Sequence, residues 1–424
     1  MVLPSLSART YAANEKVDLG FIGVGGRGGA NLKALAELED TNVVAVSDVD
    51  HGRLKNAAER FGGKPYVDFR ELLDQENGLD GFVVSTPDHQ HAVASVMGMK
   101  QGLHCYCEKP LTHDIYESRV MAELAAEKNL VTHMGTGAQS HQSSVDTLAA
   151  LRAGVIGDVK EVHVWTNRPI WPQGFEKPEG SDPVPETLDW DLWLGTAPER
   201  PYVAKWPEGH PARKERGGVV YHPFVWRGWW DFGTGALGDI APHSMNIAFW
   251  ALQLGAPESA EVLETSGMMP EMFPDWTILR LNFAASHGKP PLSIYWYDGN
   301  KTPPAELLEG APGGGNPLFV GTKGKMRTGG APYPVSDFPD YTPPETDIQP
   351  RDEIHAEWVQ CIKQGKKTGC PFEYAGPMTE AYLLGNIALK VGRKVEWDAE
   401  NMKVTNCPEA NQYVRREYRG NWSL

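Results

Sequence analysis

The chain has 424 residues, enough for two or three domains with ample core, and a formal net charge of −15. That acidity argues against a nucleic-acid groove or an anionic membrane surface as partner. No apolar run approaches the roughly 18 residues needed to span a bilayer.

The first residues, "MVLPSLSARTYAANEK", are small and polar. Residues 1–15 read as a flexible tail. Ala and Ser cluster there as they do near a signal-cleavage site, which fits the remnant of a trimmed export signal, although no charged n-region or apolar h-region precedes them. A periplasmic location is therefore expected, with a cytoplasmic one as the alternative.

Residues 17–24 form a short apolar run bounded by turn residues, the pattern of a buried strand. It leads into Gly23-Val24-Gly25-Gly26-Arg27-Gly28 and then a helical pattern with Leu32, Leu35 and Leu38. Gly23, Gly25 and Gly28 fit G-x-G-x-x-G: a tight turn, a close backbone approach to a pyrophosphate, and close packing of helix on strand. The helix start, with Gly26 and Arg27, would hold the phosphates. "NVVAVSDVD" is a second buried strand, and its Asp48 lies twenty residues beyond Gly28, where a carboxylate can take the adenine-ribose hydroxyls. An acid there repels a 2′-phosphate, so NAD is favoured over NADP. His51 and Arg53 lie close enough to keep NADP open.

Strand–helix alternation continues to about residue 135, as expected of a doubly wound parallel sheet, so residues 16–140 read as a nucleotide-binding domain. "LDGFVVSTP" is a strand that delivers Ser85, Thr86, Pro87 and His91 to the carboxyl edge of the sheet, where such folds bind ligands. "HCYCEKP" delivers Glu108-Lys109-Pro110 in the same way. The five cysteines (Cys105, Cys107, Cys361, Cys370, Cys407) have no zinc spacing, and Cys105 and Cys107 fall in this strand, where packing is the expected role. Neither a metal site nor a disulfide framework is expected.

Residues 141–424 read as a second, α+β domain. "SSVDTLAALRAGVIG" is a helix leading into it, and "VKEVHVW", "WTILRLNFAA" and "LSIYWYDG" are longer, alternating strands of an open, mostly antiparallel sheet. Proline-rich loops intervene, and helical patterns return at "DEIHAEWVQCIKQGK" and "MTEAYLLGNIALKVG". Eleven of the 14 tryptophans lie between Trp165 and Trp296. Trp171, Trp226, Trp229 and Trp230 sit in loops beside Arg, His and Asp, a composition that suits either a sugar-binding surface or plain packing. Arg168, His222, Arg227 and Trp230 are the candidates for a sugar pocket, and a subunit interface is the competing use of these loops. In "GDIAPHSMN", Asp239 and His243 are four apart and share a helix face, either as a functional pair or as a capping Asp beside an unrelated His. No third ligand accompanies them, so a metal is not expected.

The ordered set formed by the glycine loop, Asp48, "STPDHQHA", "EKP", "AGVIGDV", Asp239/His243 and "FVGTKGKM" resembles the Gfo/Idh/MocA oxidoreductases over most of the chain. "LDWDLWLG", "YHPFVWRGWWDFGTGALGDIAPH" and "YWYDGNKTPP" resemble its bacterial dehydrogenase branch, many members of which carry a twin-arginine signal before a similar tail. The resemblance implies that Lys109 contacts the reacting hydroxyl and Glu108 the nicotinamide ribose. It implies a cis Lys109–Pro110 peptide, His243 as acid/base, and Asp239 orienting substrate or base. Where many members carry an acid three residues after the histidine, this chain has Asn246. The expected activity is NAD-dependent oxidation of a ring hydroxyl of a sugar, glycoside or cyclitol by a homo-oligomer. The alternatives are an NAD-assisted glycosidase, against which the intact "EKP" argues mildly, a keto-sugar lyase on the same fold, and a non-catalytic sensor, against which Lys109 and His243 argue.

Overall fold

A computed structural model describes residues 15–424, so the tail expected over residues 1–15, except Glu15, lies outside the described residues. Six strands form the first sheet: β1 (Val17–Ile22), β2 (Thr41–Ser47), β3 (Lys64–Tyr66), β4 (Gly81–Val84), β5 (His104–Cys107) and β6 (Thr132–Met134). Their order is β3-β2-β1-β4-β5-β6 and all pairings are parallel. The order reverses at β1, so the crevice beyond the carboxyl ends of β1 and β4 is the natural ligand site of such a sheet. Its strands are apolar on both faces because helices cover both: Phe82, Val83 and Val84 are all buried.

The second sheet contains β7 (Val159–Trp165), β8 (Ser259–Thr265), β9 (Thr277–Phe283), β10 (Leu292–Tyr297), β11 (Gly315–Gly321), β12 (Lys325–Thr328), β13 (Val395–Asp398) and β14 (Lys403–Val404). The order is β12-β11-β7-β10-β9-β8-β13-β14, antiparallel except for the β7–β10 pair. Strand β9 alternates strictly: Leu279, Leu281 and Phe283 are buried, while Ile278, Arg280 and Asn282 are half-exposed. The inward set packs in one core with helix Phe372–Val391, which also carries Met378, Tyr382 and Leu384 into it.

Chain from the second half of the sequence returns to the first sheet. Trp358, on helix Ile354–Gln364, packs with Leu19 and Tyr106 and donates from its indole Nε1 to the Val131 carbonyl at 3.2 Å. The loops between β7 and β8 bury Trp171, Trp206 and Trp229 in cores of their own. This segment also reaches the end of β2, where His51 N–H donates to Thr187 O at 2.8 Å and Asp189 N–H to Val49 O at 3.0 Å. All five cysteines are free and buried, and among the described residues no cluster of three or more His, Cys, Asp or Glu side chains could hold a metal. No described helix is long and apolar enough to cross a membrane.

Candidate active site

A cleft of about 970 Å³ runs along the carboxyl edge of the first sheet, from Val67 after β3 to Lys109 after β5, and the loops between β7 and β8 roof it. Gly23, Gly25, Gly26 and Arg27 line its floor. Gly23 has φ +80°, and a Cβ there would meet the Ser85 backbone at 2.8 Å; a Cβ on Gly28 would come within 1.9 Å of Gly23 O. Gly28 thus lies behind the floor and allows helix Arg27–Ala36 to sit against the turn. That helix has no side-chain cap at Gly26; Gly28 N–H already donates to Gly25 O at 2.9 Å, so what the turn offers an anionic ligand is the backbone at Gly26 and Arg27 and the positive end of the helix dipole. Asp48 lines the cleft and accepts from Val24 N–H and Asp50 N–H, both at 2.9 Å. Burial raises its carboxyl above the ordinary range. Thr86 Oγ1 is buried at the cleft without a partner. The uncapped helix start, the acid at the end of β2 and this orphaned hydroxyl together fit a dinucleotide.

The other end holds the charged groups. Lys109 Nζ donates to Asp239 Oδ1 at 2.6 Å and to Asp239 O at 2.8 Å, and Arg227 Nε donates to the same Oδ1 at 3.1 Å. Burial alone would raise the Asp239 carboxyl, but Lys109 and Arg227 outweigh it and hold the group down at about 2. His243, one turn along helix Gly235–Ser244, lines the cleft, and its Nδ1 lies 3.2 Å from Thr136 Oγ1. The ring is open to the cleft but set deep; its low-dielectric surroundings, then the Lys109 charge, pull it down to about 4. Glu108 is buried and accepts from Asn31 Nδ2 at 3.0 Å, while Asn31 also bonds Ser85 Oγ and lies 3.1 Å from His355 Nε2. The Lys109–Pro110 peptide is cis.

Most expected residues meet here. Ser85, Thr86, Pro87, Glu108, Arg168, His222 and Arg227 all border the cleft. Two do not. His91 is buried behind the wall, with Nδ1 2.7 Å from Pro110 O and Nε2 3.0 Å from Thr86 O, so it braces two lining loops rather than facing a ligand. Trp230 lies outside the cleft: its ring packs on Phe273 at 3.6 Å between centroids, and Nε1 donates to Met269 O at 3.2 Å. Its neighbour Trp229 makes an isolated bridge to Met272, and this extended backbone turns the two indoles to opposite sides. Trp226 and Trp193 border the cleft instead. Asn246 is also remote from the cleft lining; Tyr374 OH donates to its Oδ1 at 3.1 Å, so the missing acid leaves a structural contact there rather than a gap in the cleft.

The sequence reading missed Asp88, Trp422 and Thr136. Asp88 lines the cleft, accepts from Thr234 Oγ1 at 2.7 Å, and is pushed up to about 6 by burial. It stands inside "STPDHQH", so its position one residue after Pro87 was the available signal. Trp422 also borders the cleft but carries no local signal.

Comparison with known proteins identifies the family. Residues 17–136 match the family model described as an oxidoreductase family, NAD-binding Rossmann fold, and residues 170–263 match the one for its C-terminal alpha/beta domain. The chain is 32% identical over 151 residues to inositol 2-dehydrogenase 1 of Saccharopolyspora erythraea, covering 35% of this chain and 44% of that protein. It is 28% identical over 155 residues to glycosyl hydrolase family 109 protein 1 of a Shewanella species, covering 34% of each. It thus spans less than half the length of these curated relatives. Among solved structures, the WlbA dehydrogenase of Chromobacterium violaceum, in complex with NADH and UDP-GlcNAcA, shares the fold with a TM-score of 0.61 at 15% identity, over 93% of this chain and 99% of that one. The glycine turn, the paired Lys109 and Asp239, and two consecutive family matches lead to one assignment: the chain belongs to the Gfo/Idh/MocA family of NAD-binding oxidoreductases.

Proposed function

We propose that the protein is an NAD-dependent oxidoreductase acting on a ring hydroxyl of a sugar, glycoside or cyclitol. The observation that carries this reading is the convergence of Lys109, Asp239, Arg227 and His243 at the β5 end of a cleft whose other end suits a dinucleotide. Oxidation breaks the O–H and C–H bonds of a carbinol and forms a carbonyl. Lys109, held by Asp239, stabilises the negative charge that develops on oxygen. His243, neutral in the ordinary pH range, accepts the hydroxyl proton. Arg227 fixes Asp239 from the other side, so the ammonium cannot swing away. NAD, when bound, supplies the hydride acceptor.

Beyond His243 lies a second chamber of about 400 Å³, lined by Thr136, His141, Ser143, Ser144, Asn316 and Thr328. It has hydroxyl and amide groups but no carboxylate, Lys or Arg among its lining residues. Such a chamber suits a neutral, hydroxyl-rich group attached to the ring at His243, and so supports a glycoside over a phosphorylated or nucleotide-linked sugar. A glycoside also keeps the NAD-assisted glycosidase as the second reading. A panel of neutral glycosides, assayed together for NADH formation and for aglycone release, tests both. Accumulating NADH supports the dehydrogenase, aglycone release without net NADH supports the glycosidase, and neither product from any member defeats both.

The homo-oligomer belongs to the same proposal. Half-exposed Trp165, Ile278 and Tyr295 on the large sheet support it, since aromatic residues are favoured at interfaces, and sedimentation equilibrium tests it. Periplasmic residence is likewise proposed, from the tail alone, and cell fractionation tests it.

A further inference from the structure

The cofactor end of the cleft is completed by chain from the far end of the sequence. The last eleven residues, 414–424, run back across the first domain. Arg416 anchors them: its Nη2 donates to the fully buried Glu117 at 2.8 Å and to His89 O at 2.5 Å. Tyr418 OH donates to the same Glu117 at 2.6 Å. Arg419 then ties the segment to the loops above the cleft, donating from Nη1 to Asp191 at 2.6 Å and from its N–H to Thr196 O at 3.2 Å. Three residues later Trp422 borders the cleft with Val67 and Phe69.

The place of Trp422 in the sheet identifies what it would meet. Val67 and Phe69 follow β3, the edge strand next to β2, and Asp48 N–H donates to Tyr66 O at 3.3 Å. This part of the cleft therefore lies beyond Asp48, on the side away from β5 and Lys109. With the ribose at Asp48 and the phosphates at the glycine turn, only the base remains to fill it. The indole is held there before any ligand arrives. Its ring lies 5.8 Å from Phe69 between centroids, and the Arg70 guanidinium stands 4.4 Å from its centroid. Arg70 is in turn paired to Asp68.

We propose that Trp422 is an adenine-binding residue and that segment 414–424 is a strap that must loosen for the cofactor to leave. The proposal concerns cofactor binding alone and stands whether or not a sugar is the substrate.

NADH and ADP-ribose, which lacks the nicotinamide, are titrated into the full-length wild-type, Trp422→Ala and Trp422→Phe proteins. In Trp422→Ala, Kd should rise for both by about tenfold, the scale of one base–aromatic contact, and Trp422→Phe should recover most of that loss. ADP-ribose affinity unchanged in Trp422→Ala, whatever happens to NADH, overturns the adenine assignment. Should Trp422→Ala fail to fold, Arg419→Ala supplies the test, because it frees the strap without touching the cleft lining. Because the strap is in place before the cofactor arrives, both NADH dissociation and NADH association should speed up several-fold in stopped flow. An unaltered dissociation rate overturns the strap.

Discussion

Lys109 and Asp239 are joined twice, although 130 positions separate them: the ammonium donates to Oδ1 at 2.6 Å and to the main-chain carbonyl of the same aspartate at 2.8 Å. One contact is an ion pair, and the other depends on where helix Gly235–Ser244 starts. The lysine from the first domain is thus placed by the second domain, which ties the position of the charge to the packing between the two halves.

That placement makes Lys109→Met a clean test of the proposed chemistry. The charge acts on the reacting oxygen rather than on the phosphates. Turnover should therefore fall by about 10²-fold or more, while NADH affinity stays near the wild-type value. Steady-state kinetics beside NADH titration measures both, and a mutant that keeps most of its rate removes Lys109 from the mechanism.

The pH profile reports on His243. A base must be neutral to accept a proton, and protonation occurs as pH falls through its pKa. Because its deep, low-dielectric position in the cleft and the Lys109 charge pull His243 down to about 4, oxidative kcat/KM should stay level as pH drops past the ordinary histidine value and decline only in stronger acid. Asp88, raised to about 6 by burial, is a second cleft group that titrates in this window. The profile is therefore run in wild type and in Asp88→Asn. An acid limb near 6 that persists in Asp88→Asn would take the base role from His243.

Cofactor preference should turn on Asp48. Its carboxylate already accepts two main-chain N–H groups, so alanine would also loosen the turn at Val24. Asparagine keeps an acceptor and removes the charge. In Asp48→Asn the preference for NAD over NADP should shrink by about tenfold, the worth of a hydrogen bond to a charged group. Equal changes in both affinities would argue against ribose contact.

Trp230 should behave as a core residue. It stacks on Phe273, lies under the Lys390 ammonium, and is buried. Trp230→Ala should cost about 3 kcal/mol of stability, read by denaturant titration, with KM for the sugar unchanged. A raised KM at normal stability would return it to the substrate pocket.

The doubly wound sheet, the glycine turn, Asp48, the "EKP" end of β5 and the helical spacing of Asp239 and His243 were legible in the sequence by itself. Each is a local pattern: strand alternation, helical periodicity and glycine punctuation act over a few residues, and the backbone imposes them wherever they occur. Facts that depend on direction or on distant chain were not legible. Trp226, Trp229 and Trp230 share one composition, but a short 3₁₀ turn over Val225–Gly228 followed by extended backbone sends them to different places. His91 has the spacing of a cleft residue, yet its ring points into the wall because two carbonyl oxygens wait there. The pairing of Lys109 with Asp239 and the arrival of Trp422 beside Phe69 depend on how remote segments pack. Burial of apolar area is non-directional, so no short stretch of sequence encodes which remote surface it will meet; only the folded chain decides it.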